Sequence, residues 1–405
     1  MPVEDDAAGY RYAPADSLPG LIERGRGLGA LRAREERAEA RDAVLNCLRT
    51  DTRWHRRPGS RHHYLADLVR ELALPIDLPI ALLDAGQQDN WRSHGLLAVL
   101  ARTGSAEARA ALLRYVRSGH HWWQDVLDTV AGEWPVPWWD GLRADALRLL
   151  AGAEPEHPGS ACWAHWGTAA PVVRREPGPY SPPDAALLLA EITDPKTSDI
   201  GRMILVRALA GGPPVPELLP LVPQLSSVER GGTELRALPY LDGEVKRLGP
   251  LALAPAREWA ASGEPWLAAF GLDVLADLGT AADLPLLLAE LDRRWTARRW
   301  DVPDRLADGL ARLGPAAAEA APLLQLFWSE TPHSLERPSY LRALTAVAPA
   351  TAAPLLTESL WDCERRARLH ALECAPDAPE LSARAAELRD SPVEHPEVRA
   401  AAARR

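Results

Sequence analysis

Three kinds of side chain in this 405-residue chain are spaced so that they could do chemistry. The first is imidazole. His120-His121 followed by Asp125 sets a nitrogen and a carboxylate one helical turn apart, the spacing by which a helix presents two metal ligands on one face. His62-His63 is a second imidazole pair. Neither has a convincing third ligand in the local sequence, so no metal site is expected. The second kind is arginine interleaved with rings: Arg53-Trp54-His55-Arg56-Arg57 leading into Arg61-His62-His63-Tyr64, and Arg293-Arg294-Trp295 with Arg298-Arg299-Trp300. Guanidinium groups contact phosphates and aromatic rings stack on bases, which makes Arg53, Arg56, Arg57, Arg61, Arg298 and Arg299 the candidate nucleic-acid contacts.

The third kind is tryptophan. The chain has 15 Trp but only two Phe, and nine of the Trp lie between positions 54 and 166. Neighbouring residues on a helix point about 100° apart, so Trp122 and Trp123 cannot both face one core line. One ring of such a pair is then free to line a groove, where Trp is a common interface anchor. Trp122, Trp123, Trp138, Trp139, Trp163 and Trp166 are therefore the candidate partner-binding residues. The competing assignment is that these rings fill the core in place of the missing Phe.

Motifs that would carry catalysis do not occur. No Gly-rich phosphate loop, Gly-x-Ser-x-Gly elbow or His-Glu-x-x-His is found, and the Arg-Gly-Arg-Gly-Leu-Gly run at 24–29 does not follow a strand pattern. Cys47, Cys162, Cys363 and Cys374 are scattered without metal-site spacing and read as reduced thiols. No catalytic residue and no cofactor is expected on these grounds.

What must position these groups is a helical framework. The composition is 47% hydrophobic and 25% charged, enough for a folded core, and Ala, Leu and Arg dominate where strands would favour aromatic and β-branched residues. With 46 Lys+Arg against 56 Asp+Glu the net charge is -10, which excludes a chain built as a whole for nucleic acid or an anionic membrane. Lys196 and Lys246 are the only lysines, an Arg bias that fits a GC-rich, bacterial-like genome. The acidic start MPVEDDAAGYRYAPAD carries no signal pattern and no run is long enough to span a membrane, so a cytoplasmic protein is expected.

Repetition organises the chain. Apolar-periodic helices end on Gly104, Gly132, Gly211, Gly249, Gly279 and Gly314, and weaker copies end at Ala348 and Ala375. In phase with them, Pro220, Pro255, Pro285, Pro322 and Pro354 recur 30 to 37 residues apart, each in a run such as PELLPLVPQL or ADLPLLLAEL. Two helices per repeat, joined by tight turns, bury their apolar stripes by stacking on their neighbours. The predicted fold is all-α, an α-solenoid of stacked antiparallel helix pairs in a right-handed superhelical array. Residues 1–18 read as a flexible acidic tail and 19–152 as an N-terminal helical region whose repeats begin near 84. Residues 153–182 read as a Pro/Gly/Trp-containing loop or insertion, and 183–405 as C-terminal repeats.

Three segments resemble the HEAT-repeat family, in which an Asp-Pro turn leads to an Arg near the opening of the second helix. They are Asp194-Pro195-Lys196-Thr197-Ser198-Asp199-Ile200-Gly201-Arg202, His395-Pro396-Glu397-Val398-Arg399 and, more loosely, Asp89-Asn90-Trp91-Arg92. The resemblance implies a scaffold, non-enzymatic, that holds a protein or peptide on a concave face lined by the second helices. A local match points elsewhere. Trp300-Asp301-Val302-Pro303-Asp304 resembles the Trp-Asp-x-x-Asp segment of HEAT-like alkylpurine DNA glycosylases. That similarity implies Trp300 as an aromatic wall for a damaged nucleotide and Asp304 as a carboxylate stabilising the cationic sugar. The two expectations are a protein-binding scaffold and, as the alternative, a DNA glycosylase or other nucleic-acid-binding protein.

Overall fold

The structure is a computed structural model and describes residues 12–50, 61–85, 91–167, 184–228, 235–300 and 303–405. Among these the chain is all-α apart from one short hairpin, Ser226–Val228 paired antiparallel with Leu235–Ala237. No described helix is long and apolar enough to cross a membrane. The helix Ala106–Ser118 shows how sequence sets a typical element. Ser105 caps it by accepting from the Ala108 N–H at 3.1 Å, and Ala108, Ala111, Leu112, Tyr115 and Val116 form the buried stripe at helical spacing.

The repeat markers are only partly realised as helix stops. Gly104, Gly249 and Gly314 take the left-handed conformation, whereas Gly132 lies inside the helix Trp123–Glu133 and Gly279 has φ -59°. The prolines divide similarly. Pro255, Pro285 and Pro322 sit in first turns, where no internal acceptor is lost, while Pro354 lies inside Pro349–Ser359. The segment read as a helix around Pro220 is a 3-10 turn, Pro216–Gln224, because Pro220 and Pro223 both lack the N–H an α-helix needs. Two of the three turns that resemble the family pattern fall on described residues, and side chains brace both. Asp194 Oδ1 accepts from Lys196 N–H at 2.8 Å and Ser198 caps the helix Asp199–Leu209, while His395 caps Pro396–Ala402.

The chain divides into two compact units, one of residues 1–174, 329–338 and 352–405, the other of residues 175–328 and 339–351. The stretch 183–405, expected as one run of repeats, is therefore shared between them. In the first unit the helices Arg61–Glu71, Trp91–Arg102, Ala106–Ser118 and Trp123–Glu133 pack in succession over a core of Leu65, Leu68, Leu96, Leu97, Leu112 and Val126. Two expected irregular segments are folded where described. From Tyr12 the supposed tail is packed, with Tyr12 buried beneath the Arg24 guanidinium at 5.0 Å; residues 1–11 lie outside the described residues. The loop after 152 contains the helix Ala161–His165, anchored by Ser160 Oγ donating to Asp128 at 2.6 Å, and 168–183 lie outside the described residues.

The first unit also joins the two ends of the sequence. Cys363 N–H donates to Gly25 O at 2.9 Å, Arg26 pairs bidentately with Glu358 at 3.0 and 2.9 Å, and Tyr64 Oη donates to Arg26 O at 2.9 Å. At the centre Arg337, with 0% of its side chain exposed, forms a bidentate pair with Asp362 at 2.8 and 3.0 Å and donates to Gly25 O at 3.2 Å. Burial disfavours the Arg337 charge, but Asp362, Cys363 and Glu364 outweigh it and hold the guanidinium pKa above its ordinary value. In the second unit Asp283 closes a capping box with Thr280 and accepts from Arg257 at 2.6 and 3.0 Å.

Two stability measurements check these contacts. Arg337→Met leaves Asp362 buried without its partner and is expected to cost about 3–5 kcal/mol in urea denaturation; a loss below about 1 kcal/mol would show the pair to be dispensable. The Arg257 hydrogen bond, against an opposing desolvation, holds the Asp283 carboxyl below its usual range. A depressed pKa stabilises the fold above the unfolded value and ceases to do so as pH falls through the folded one. Asp283→Asn is thus expected to cost about 2 kcal/mol at neutral pH, with the gap to the parent closing below about pH 4. A gap independent of pH would contradict this assignment.

Candidate functional site

The densest aromatic group is a packed cluster in the first unit. Trp163 and Trp166 meet edge-to-face with ring centres 5.3 Å apart, and Trp166 meets Trp139 in the same manner at 5.7 Å. Three of the buried indoles donate to a partner: Trp134 Nε1 to Ala98 O at 3.0 Å, Trp139 Nε1 to Trp134 O at 3.2 Å, and Trp166 Nε1 to Asp140 Oδ1 at 2.9 Å. Trp123, Trp139, Trp163 and Trp166 are buried, Trp139 to 2% exposure. These four, expected to contact a partner, belong instead to the core, because their apolar area is already spent against one another and neighbouring helices.

Each doublet has one buried and one half-buried ring, although neither lies within an α-helix: Trp122 precedes the helix that begins at Trp123, and Trp138 ends the 3-10 turn Val136–Trp138. Trp122 and Trp138, the other members of the two doublets, are half-buried. Trp138 stands edge-on to Trp134 at 5.8 Å and carries the Arg109 guanidinium over its face at 4.4 Å. Val136, two residues before it, is exposed, as is Leu147. The outer doublet members are thus the part of the cluster that meets solvent.

The glycosylase-like residues are placed less favourably for chemistry. Trp300 is buried in the second unit, edge-on to Phe327 at 5.7 Å and to Trp295 at 6.0 Å. It is a core ring and not a wall open to a nucleotide, which corrects the carried-over role. Asp304 is half-buried in the first turn of Pro303–Leu313, and its pKa is raised, by burial and then by the nearby Asp308 charge.

The basic residues are not gathered either. Arg61 is buried, against the expectation of a phosphate contact, while Arg298 and Arg299 are exposed in the second unit. Arg298, at φ 52°, stacks on Trp295 at 4.1 Å. Arg53, Arg56 and Arg57 lie outside the described residues. The His120-His121-Asp125 spacing is not helical, because the helix begins at Trp123; His120 stacks on Tyr115 and Asp125 lies 3.7 Å from His157.

Sequence reasoning missed one constellation. His62, His63 and Glu133 each place a ligand atom within 4.8 Å of the other two, all half-buried in the first unit. The imidazoles come from the helix Arg61–Glu71 and the carboxylate from the end of Trp123–Glu133. Local spacing finds the His pair, but the carboxylate arrives only when distant helices pack. Burial foremost, and then the charges of His62, Arg368 and Arg102, push the His63 pKa down to about 3.

The doublets give a direct test of core against surface. Trp139→Ala is expected to cost about 3–5 kcal/mol in urea denaturation. Trp138→Ala should cost about 1 kcal/mol, chiefly its contact with Arg109. Equal losses would contradict the division. No protein-family model, no curated protein and no solved structure matches the chain.

Proposed function

We propose that the chain is a non-enzymatic helical scaffold, a HEAT-like α-solenoid of antiparallel helix pairs in a right-handed array, that binds a protein or peptide on its concave face. The observation that carries this reading is the half-exposed Trp138, held over by Arg109 and edge-on to the buried Trp134. A rigid aromatic ring fixed from behind loses little conformational freedom on binding and offers a large apolar area, which is why Trp anchors interfaces. Trp122 and the exposed Val136 and Leu147 supply further apolar surface in the same unit. The Asp194 and His395 turns support the repeat family at the level of local structure. The nucleic-acid alternative draws less support, since Trp300 and Arg61 are both buried.

The reading is tested by affinity capture with the full chain against cell extract, followed by titration of the captured partner. Trp138→Ala, with helical circular dichroism unchanged, is expected to weaken that partner by at least about tenfold, as loss of a central aromatic anchor does. Equal affinity in the parent and in both Trp138→Ala and Trp122→Ala would remove the doublets from the interface. Tighter capture of duplex DNA than of any protein, falling steeply with salt, would favour the alternative.

A further inference from the structure

We propose that His62, His63 and Glu133 form a zinc-binding site with one coordination position left for water or a ligand. The three donor atoms come from two separate helices and lie within 4.8 Å of one another. Zinc binds imidazole nitrogen and carboxylate oxygen at about 2.0–2.2 Å in tetrahedral array, which puts neighbouring donors about 3.4 Å apart. Two imidazoles with one carboxylate suit zinc, whereas magnesium and calcium prefer all-oxygen sets.

The surroundings fit this use. His62 lies against Gly95, where an added Cβ would stand 3.3 Å from His62 Cγ, so the small residue leaves the ring its place. Glu133 has one oxygen, Oε2, on Arg102 at 3.0 Å, an arrangement that orients the carboxylate while leaving Oε1 for the metal. Next to Gly95, the buried His94 accepts or donates at Nδ1 to Thr129 Oγ1 at 2.9 Å while its Nε2 has no hydrogen-bond partner. Thr129 lies one turn before Glu133 on the same helix, so a third helix, Trp91–Arg102, also packs beside the two that carry the donors. The Arg102 and Arg368 charges oppose a cation here, and the bound zinc must outweigh them.

The test is calorimetric titration of the full chain with zinc after removal of adventitious metal by chelator. Exposed Cys374 lies 3.7 Å from His370 Nδ1 and is a second place for zinc to lodge, so the titration is run in a Cys374→Ser background. One zinc per chain is expected, with Glu133→Gln and His63→Gln each weakening it at least tenfold and magnesium giving no heat. Cobalt in place of zinc should give the visible absorption of a four-coordinate site, lost in Glu133→Gln. Glu133 is half-buried at a helix end, so that variant reports on binding even if His63→Gln does not fold. No binding at about 100 µM zinc, or binding unchanged in both variants, would overturn the assignment.

Discussion

The first unit depends on the buried pair between Arg337 and Asp362. Removing both charges from water is costly, and the pair is retained because its geometry satisfies several partners at once: two bonds to Asp362, one to Gly25 O. The same carbonyl takes the Cys363 N–H, so one backbone atom near the start of the chain is held by two residues near its end. Gly25 makes this approach possible. Its φ of 67° suits glycine, and a Cβ there would stand 2.5 Å from Cys363 Sγ. Around it Arg26–Glu358 and Arg368–Glu394 add two further bidentate pairs, both largely shielded from solvent. Shielding from water strengthens the attraction within each pair but also raises its desolvation cost, so what is reliably costly is the loss of one partner alone.

Local order was legible in the sequence because its causes are local. Helical periodicity, Ser and Asp caps, and Pro in first turns act within a few residues, and they produce elements such as Ala106–Ser118 and Asp199–Leu209. Where two local signals compete the outcome was less legible. Around Pro220 the apolar period favours an α-helix, but two prolines remove donors and a 3-10 turn results. Gly132 reads as a stop yet is carried within a helix, because packing of Val126, Leu127 and Val130 extends it. The division of 183–405 between units has no local signal at all.

The site residues show the same boundary. The doublet rule anticipated one outward ring in each pair, but its helical premise does not apply, since Trp122 precedes its helix and Trp138 ends a 3-10 turn. It could not place Trp163 and Trp166, which follow a Pro/Gly-rich run and become core through their contacts with Trp139 and Asp140. Arg61 and Arg337 resemble any other Arg in an Arg-biased chain. Burial sets them apart, and burial is a property of the assembled fold. Glu133 was invisible as a companion of His62 and His63 for the same reason.

Closure between distant segments alters what repetition means in the first unit. In an open array each repeat touches only its neighbours, and stability is close to a sum of local terms. Here Arg26 and Glu358, 332 residues apart, share two hydrogen bonds, and the Gly25 carbonyl accepts from Arg337, 312 residues away. The entropy of closing so long a loop grows only logarithmically with its length, so a few buried bidentate pairs together with apolar packing can offset it. The N-terminal helices are therefore coupled to residues 352–405, and loosening either loosens both. Such coupling restrains the helices packed between these two segments in the first unit, including Arg61–Glu71, whose Tyr64 is tied to Arg26 O.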